Sequence, residues 1–576
     1  MQKRLYKYTK ITDIKDMLNK TKNEFGNNIA YKIKISEGKY KTFTHSEVRD
    51  MVDGLGTALI DMGLKGKKIA VIGENRYEWQ IAYLSVVCGT GMVVPLDKSL
   101  PENELISLIE RSQVEAIFYS KKYEQTLKNA VCNGIGKLKH LISMDLKIHQ
   151  EGIYSEIELI EKGKKLVKQG NRKFIDAKIN AEEMSIMLFT SGTTSTSKVV
   201  ALSHKNICSN LMDIAAILDI SDKDVMLSFL PLHHVFECTV GFLTALYKGM
   251  EVTFCDGIKH IVENMNEYKI TYMACVPAIY ESIYRNILRK LQKENRLDEI
   301  KEKIEKCKNL SMEEKKKEFQ EIHEMLGGRV RLLISGAASL NREVEQGYRD
   351  FGINLVQGYG LTETSPVIGI GTKQNYKLGS IGKCVPSVEA KIEDENEEGI
   401  GELVVKGPNI MLGYYQNEEA TNEVLKDGWF YTGDLARIDE EGYIFICGRK
   451  KSVIVLKNGK NIFPEEMEGL INRIEGVKES FIFAKANTTD DENDIKIYAK
   501  IVYDRKIVEE AYKVHTDTEI YNSLNNQVKQ INQTLPLYKR IRGIIITEKP
   551  LIKTTTSKIK TTKKNNNYKK KKTEGN

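Results

Sequence analysis

The sequence predicts an α/β protein: a large N-terminal body of parallel sheets covered by helices, a β-rich subdomain, and a small α+β C-terminal domain. Three observations carry that expectation. From Lys68 short apolar runs alternate with helical stretches, the same rhythm returns near 184–280 and 329–357, and after about Ser387 the pattern changes to short strands and turns. Apolar strands separated by helices imply a parallel sheet covered on its faces. The length of 576 residues exceeds what a single core usually supports, so two or more domains are expected.

In chain order, IAVIGEN (69–75) reads as a strand, YEWQIAYLSVVCG (77–89) as a helix and MVVPLD (92–97) as a strand. ENELISLIERS (102–112) follows as a helix and VEAIFYS (114–120) as a strand. Residues 286–326 interrupt the rhythm. They are charge-rich, with Leu297, Ile300, Ile304 and Cys307 at helical spacing. A capping box at Ser311–Glu314 opens one more helix, which Gly327 and Gly328 end, so this segment is expected to be a helical excursion on the surface. Beyond Ser387 the runs VEAKIED, GELVVKG, GWFYTGD, GYIFICGR and KSVIVLKNGK read as strands, with Asn458-Gly459 as a hairpin signal.

Composition bounds the function. Hydrophobic residues at 41% and aromatics at 8% describe an ordinary globular chain. The net charge of +8 sits in the tail: Lys549–Asn576 holds ten lysines and one acid, which leaves the rest at −1. A near-neutral body gives no reason to expect a nucleic-acid partner, and the tail reads as a solvated segment with contact to an anionic membrane as the alternative. Nine cysteines without a CxxC argue against a disulfide framework or a zinc knuckle. MQKRLYKYTK has no apolar signal core, and the longest apolar stretch, from Ile81, is broken by glycines. A cytoplasmic protein is expected, with peripheral contact at the inner membrane face as the alternative to simple solvation of the tail.

The segment most informative about chemistry is TSGTTSTSK at 190–198, between the apolar run MSIMLF and VVALSHKNICSNLMDIAAIL, in which Ser203 can cap an amphipathic helix. A linker would not be pinned between a buried strand and a helix; a loop whose hydroxyls, amides and lysine wrap a phosphate would be. It is not a Walker A loop, because Ser197 and Val199 stand where glycine and Ser or Thr are required. GYGLTE at 358–363 likewise fails the dinucleotide fingerprint, with Glu363 at the third glycine position. Glu363, beside hydroxyls, suits a Mg²⁺ shared with nucleotide phosphates. His233 and Glu237, four residues apart, resemble a metal pair but have no third ligand nearby in sequence.

These segments resemble the acyl- and aryl-adenylate-forming superfamily, and within it the long-chain fatty acyl-CoA ligases. The likeness runs from about residue 25 to 562. It rests on TSGTTSTSK, PLHHVFE (231–237), SGAA (335–338), GYGLTET (358–364), YTGDLA (431–436), GRKKSVIV (448–455) and KTTTSKIK (553–560), in that order. The resemblance implies a ligase that joins a fatty acid to ATP as acyl-AMP, with Mg²⁺, and passes the acyl group to coenzyme A. Thr190, Ser191, Gly192, Thr193, Thr194 and Lys198 would hold the pyrophosphate end of ATP. Gly336, Ala337 and Ala338 would line the adenine slot, with Tyr359 on the ring. Thr362 would touch the α-phosphate, Glu363 would bind Mg²⁺, and Asp434 with Arg449 would hold the ribose. His234 would stand beside the acyl site, and Lys558 would neutralise charge during adenylation. Lys451 would be the hinge of a mobile C-terminal domain that presents Asn458, Gly459 and Lys460 to coenzyme A.

The implied domains are 1–447, 448–562 and a basic tail, 563–576. Ser195 and Val199, where many relatives have glycine, imply a stiffer phosphate loop. Two alternatives stand beside this reading: an acyl-AMP ligase that loads a carrier-protein thiol, and a nucleotide-binding scaffold without catalysis.

Overall fold

A computed structural model describes residues 2–190, 198–456, 461–486 and 495–551. Within it two large sheets form the body. The first runs, edge to edge, Gly413–Tyr414, Val199–Ser203, Met184–Phe189, Met92–Pro95, Lys68–Ile72, Ala116–Tyr119, His140–Ser143 and Ile153–Ser155. The second runs Lys383–Cys384, Val367–Ile370, Leu355–Gly360, Leu332–Ser335, Tyr272–Cys275, Val225–Ser228, Glu251–Phe254, Ile29–Ser36 and Lys39–Thr44. Central strands such as Ile69–Ile72 and Leu332–Ser335 are buried throughout, as their unbroken apolar runs require of strands covered on both faces.

The sheets are mixed rather than wholly parallel. Val199–Ser203 pairs antiparallel with Met184–Phe189, so TSGTTSTSK is a hairpin connection and VVALS is a strand before the helix rather than its approach. The reason lies in the side chains: Val200, Ala201 and Leu202 are apolar and buried, and pair with the preceding strand before Ser203 starts the helix His204–Ile217. Ser203 and Asn206 form a reciprocal cap there.

That helix is buried almost all round because it lies between the two sheets. Its Ile207, Leu211, Ile214 and Ala215 share one core with Val71 and Leu202 of the first sheet and Met226 and Val356 of the second. Phe236–Leu243, wound with a π-type turn, joins the same layer. The helical excursion expected over 286–326 falls in the helices Pro277–Lys293, Leu297–Cys307, Met312–Glu318 and Gln320–Met325, but they do more than ride on the surface: Leu291, Ile300, Phe319 and Ile322 build a second core with Tyr348 and Phe351. The strands Glu389–Glu393, Gly401–Lys406, Trp429–Ile438 and Ile444–Arg449 form the β-rich sheet. The strands Val477–Ala486, Ile495–Tyr503 and Ile541–Thr547 pack with the helices Pro464–Ile471 and Asp517–Thr534 around a core of their own, which is the small α+β domain.

The start of the chain is tied to distant residues. Gln2 donates its side-chain amide to the carbonyls of Ile370 (2.6 Å) and Lys383 (3.0 Å) and its backbone N–H to Cys384 (3.0 Å). No helix among the described residues is long and apolar enough to cross a membrane.

Two helices, His45–Asp61 and Glu156–Lys168, approach through bare backbone, because a Cβ at Gly163 would stand 1.7 Å from the carbonyl oxygen of Gly54. Gly163→Ala should therefore destabilise the body by about 1–3 kcal/mol, although alanine is intrinsically the better helix former. Denaturant titration checks this; unchanged stability would mean that the helices separate at no cost.

Candidate active site

The loops that follow several strands converge on one rim. Thr190 and Lys198 close the hairpin: Thr190 donates its N–H (2.9 Å) and its hydroxyl (3.2 Å) to the carbonyl of Lys198. Ser191, Gly192, Thr193 and Thr194 lie outside the described residues, as do Asn458, Gly459, Lys460 and Lys558. The Lys198 ammonium sits 4.3 Å from the ring centroid of Tyr414, a cation–π contact. Tyr414 then donates its hydroxyl to Glu363 Oε1 at 2.9 Å. Burial, with the Glu363 carboxylate beside it, pushes the Tyr414 phenol up, so it stays a donor. Lysine, tyrosine and carboxylate thus form a line from Lys198 to the GYGLTET segment.

Tyr414 reaches this place because Gly413–Tyr414 pairs antiparallel with Val200–Ala201. Sequence reasoning missed it. The signal available was the aromatic pair in LGYY, but nothing local says that this segment returns to the edge of the first sheet.

The end of the strand Leu355–Gly360 and the turn after it are equally constrained. A Cβ at Gly360 would stand 1.7 Å from the carbonyl oxygen of Pro366, so the backbone passes where no side chain fits. Asn409 donates to the carbonyls of Thr364 (2.9 Å) and Val367 (3.1 Å), and Met411 N–H donates to Glu363 O (2.8 Å), which fixes the turn that carries Thr362 and Glu363. Tyr359 donates its hydroxyl to Asp434 Oδ2. Asp434, only 3% exposed, is also paired with Arg449, whose Nε lies 2.7 Å from Oδ1 on the neighbouring strand. A buried carboxylate needs such partners to remain charged. Burial and the Asp434 carboxylate push the Tyr359 phenol well up.

Gly336, Ala337 and Ala338 follow the strand Leu332–Ser335. Gly336 is buried against Phe236, whose ring would be 2.8 Å from an added Cβ, whereas Ala337 and Ala338 are exposed. Ala337 has φ +69°, a left-handed backbone that costs an alanine about 1 kcal/mol and marks a place where chain geometry outweighs local preference.

His234 stands in the turn before Phe236: its N–H donates to Pro231 O (3.0 Å) and its carbonyl accepts from Cys238 N–H (2.9 Å). Its ring centroid is 4.1 Å from that of His233. Burial, together with His234 and Lys98, holds His233 well below its ordinary range, so it is neutral, and its Nε2 lies 3.6 Å from Asp97. Glu237 faces Ser228 instead, so the two residues of the suspected metal pair serve different partners. A narrow pocket beside them is walled by Tyr83, Ile186, Leu188, Ile207 and Val235, with His233 and Thr239 also on its surface. Lys451 is exposed in the short turn Lys450–Ser452 after the strand that ends in Arg449.

Among the described residues no group of three His, Cys, Asp or Glu side chains could hold a metal ion. Glu363 alone fits a hard cation that takes its remaining ligands from phosphates and water.

Lys198, which ends a hydroxyl-rich segment of sequence, faces Glu363 across Tyr414, and Asp434 is paired with Arg449, a set of side chains with the chemistry to hold a nucleotide. Residues 18–415 match the family described as AMP-binding enzyme, and the chain belongs to that family. It is 29% identical over 519 residues to Long chain acyl-CoA synthetase 1 of Arabidopsis thaliana, covering 82% of this chain and 77% of that protein. It is 27% identical to the long-chain-fatty-acid–CoA ligase FadD15 of Mycobacterium bovis, covering 76% and 74% of the two chains. The fold is also that of the anthranilate CoA ligase AuaEII, solved with anthranoyl-AMP, with a TM-score of 0.75, 17% identity and 98% of both chains covered.

Burial pushes the Glu237 carboxyl up to about 8, against the opposing pull of the Ser228 hydroxyl, the Phe229 and Leu230 amides and Lys98. The folded state then holds a proton that the unfolded chain releases above about pH 4.5, so this residue's contribution is full below that value and is lost as pH rises towards 8. Glu237→Gln should gain stability over the parent across that window, by up to about 5 kcal/mol at its upper end. Thermal melts of both proteins at pH 5 and 8 check this; an equal difference at both would show that Glu237 is ionised in the fold.

Proposed function

We propose that the chain is an ATP-dependent ligase that activates a fatty acid as acyl-AMP and transfers the acyl group to coenzyme A. The observation that carries this reading is the alignment of Lys198, Tyr414 and Glu363 beside the Tyr359–Asp434–Arg449 cluster. The first group suits the phosphates of ATP and the second its ribose. The names of the acyl-CoA synthetase relatives supply the substrate class.

In the first step a carboxylate oxygen of the fatty acid attacks the α-phosphorus, and the bond to pyrophosphate breaks. Lys198 and the hydroxyls of 190–194 would hold the departing pyrophosphate, Thr362 the α-phosphate and Lys558 the charge that grows between the reactants. Bound at Glu363, Mg²⁺ would supply further neutralisation of the phosphates. Asp434 would accept from the ribose hydroxyls while Arg449 holds its carboxylate in place, and Gly336, Ala337, Ala338 and Tyr359 would bound the adenine. In the second step the thiol of coenzyme A, losing its proton, attacks the acyl carbonyl and AMP leaves. His234 would stand beside the acyl group, next to His233, which lines the narrow apolar pocket. The reading divides the chain at 1–447 and 448–562, with Lys451 as the hinge between two orientations of the small domain, and places the protein in the cytoplasm.

Carboxylate-dependent exchange of pyrophosphate into ATP, across short to very long fatty acids and with and without coenzyme A, tests the whole. Lys198→Ala and Glu363→Gln should each slow exchange about 100-fold or more. Lys558→Ala should lose exchange yet convert supplied acyl-AMP and coenzyme A to thioester, whereas Lys451→Pro should keep exchange and lose thioester formation. A folded Lys558→Ala protein with normal exchange would remove the adenylating role, and parental exchange in Glu363→Gln would remove the metal role.

The basic tail, 563–576, is proposed to hold the protein at anionic membranes, each lysine near such a surface contributing about 1 kcal/mol. Truncation after Thr562 should reduce binding to phosphatidylserine vesicles at low salt and leave turnover of soluble substrate intact. Equal vesicle binding by both forms would dispose of the idea.

A further inference from the structure

The motif PLHHVFE holds one group that the reaction does not use. Glu237 is wholly buried, yet neither end of its carboxyl points at the nucleotide residues. Oε1 accepts from the hydroxyl of Ser228 at 2.7 Å. Oε2 has no hydrogen-bond partner among the described residues and lies over Gly241, where an added Cβ would stand 3.0 Å from it. Ser228 in turn accepts from the side-chain amide of Asn75 at 3.0 Å, and the same amide donates to the carbonyl of Leu230 at 2.7 Å.

These residues come from three places. Asn75 follows the strand Lys68–Ile72 of the first sheet, Ser228 ends the strand Val225–Ser228 of the second, and Glu237 opens the π-type turn between them. The chain they enclose, 229–236, carries His233 and Val235 to the pocket, with the His234 ring beside that of His233, and sets Phe236 against Gly336. A carboxyl is an expensive way to fill an apolar layer; a leucine or methionine would occupy similar volume at no desolvation cost. What the carboxyl adds is a directional corner that fixes where the turn begins relative to both sheets.

We propose that Asn75, Ser228 and Glu237 are positioning residues that form a polar strap across the two sheets and set the 229–236 loop against the acyl chain. This rests on the acyl-ligase reading for its kinetic consequence, but the strap itself is read independently. Glu237 touches no reacting atom. Its substitution changes the fit of the fatty acid more than the binding of ATP.

The test uses the full-length chain with Glu237→Leu, Glu237→Gln and Asn75→Ala, the last guarding against a leucine variant that fails to fold. Hydrogen exchange of the amides in 229–238 should quicken about tenfold or more in Glu237→Leu and Asn75→Ala, while the strands Lys68–Ile72 and Val225–Ser228 keep parental protection. Glu237→Gln, which retains an acceptor for Ser228, should exchange as the parent does. In pyrophosphate exchange with hexadecanoate, the KM for the fatty acid should rise about tenfold in the first two variants with the KM for ATP within about twofold, and Gln should restore the parental value within about threefold. A loss in kcat alone with unchanged KM, a Gln variant as impaired as Leu, or parental exchange in 229–238 for Asn75→Ala would each overturn the strap. If the parent turns over no fatty acid while 229–238 still responds as stated, the acyl-ligase reading falls and the strap stands.

Discussion

The body is governed by the need of two sheets, each apolar on both faces, to be covered twice. One helical layer, including His204–Ile217, serves the inner face of both, and this sharing brings their strand ends to a common rim. Thr190 follows Met184–Phe189, Asn75 follows Lys68–Ile72, Gly336 follows Leu332–Ser335, and Gly358–Gly360 closes Leu355–Gly360. Loops from sequence positions hundreds of residues apart therefore meet without any one of them being long. In open α/β sheets, the carboxyl ends of the strands are where ligands bind.

Two buried carboxylates show how differently such a rim treats charge. Asp434 has the Arg449 guanidinium and the Tyr359 hydroxyl, so removal from water is offset by partners aimed at both oxygens. Glu237 has hydroxyl and amide donors but no adjacent cation at contact distance, and burial wins, leaving it neutral at ordinary pH. The first is suited to accept from ligand hydroxyls and the second to hold backbone in place.

Much of this is legible in the sequence. Periodicity found the strands and helices of the body, the Ser311 capping box marked a real helix start, and the shift after Ser387 marked the β-rich sheet. What local pattern could not supply was pairing across long separations. VVALS carries the same apolar run whether it leads into a helix or forms a strand, and its pairing with Met184–Phe189 on one side and Gly413–Tyr414 on the other makes it a strand. For the same reason Tyr414 escaped notice: its role comes from Lys198 and Glu363, neither of them its neighbour in sequence. Asn75 is a turn residue by composition and a link between sheets only by topology.

The attachment of Gln2 to Ile370, Lys383 and Cys384 bears on how the chain is made. Ribosomes add about 5–20 residues per second, so the partners of Gln2 emerge roughly 20–80 seconds after it does. The strand Ile29–Ser36 likewise waits for Glu251–Phe254 before its parallel edge is paired. Until those residues emerge, roughly 11–45 seconds later at the same rate, the edge at Tyr31 and Lys32 is open to other nascent chains. Its antiparallel partner Lys39–Thr44, with Lys39 and Lys41, covers the opposite edge with charge from the outset. The N-terminal hairpin is thus built to survive its own synthesis, one side shielded early and the other completed only when the second sheet arrives.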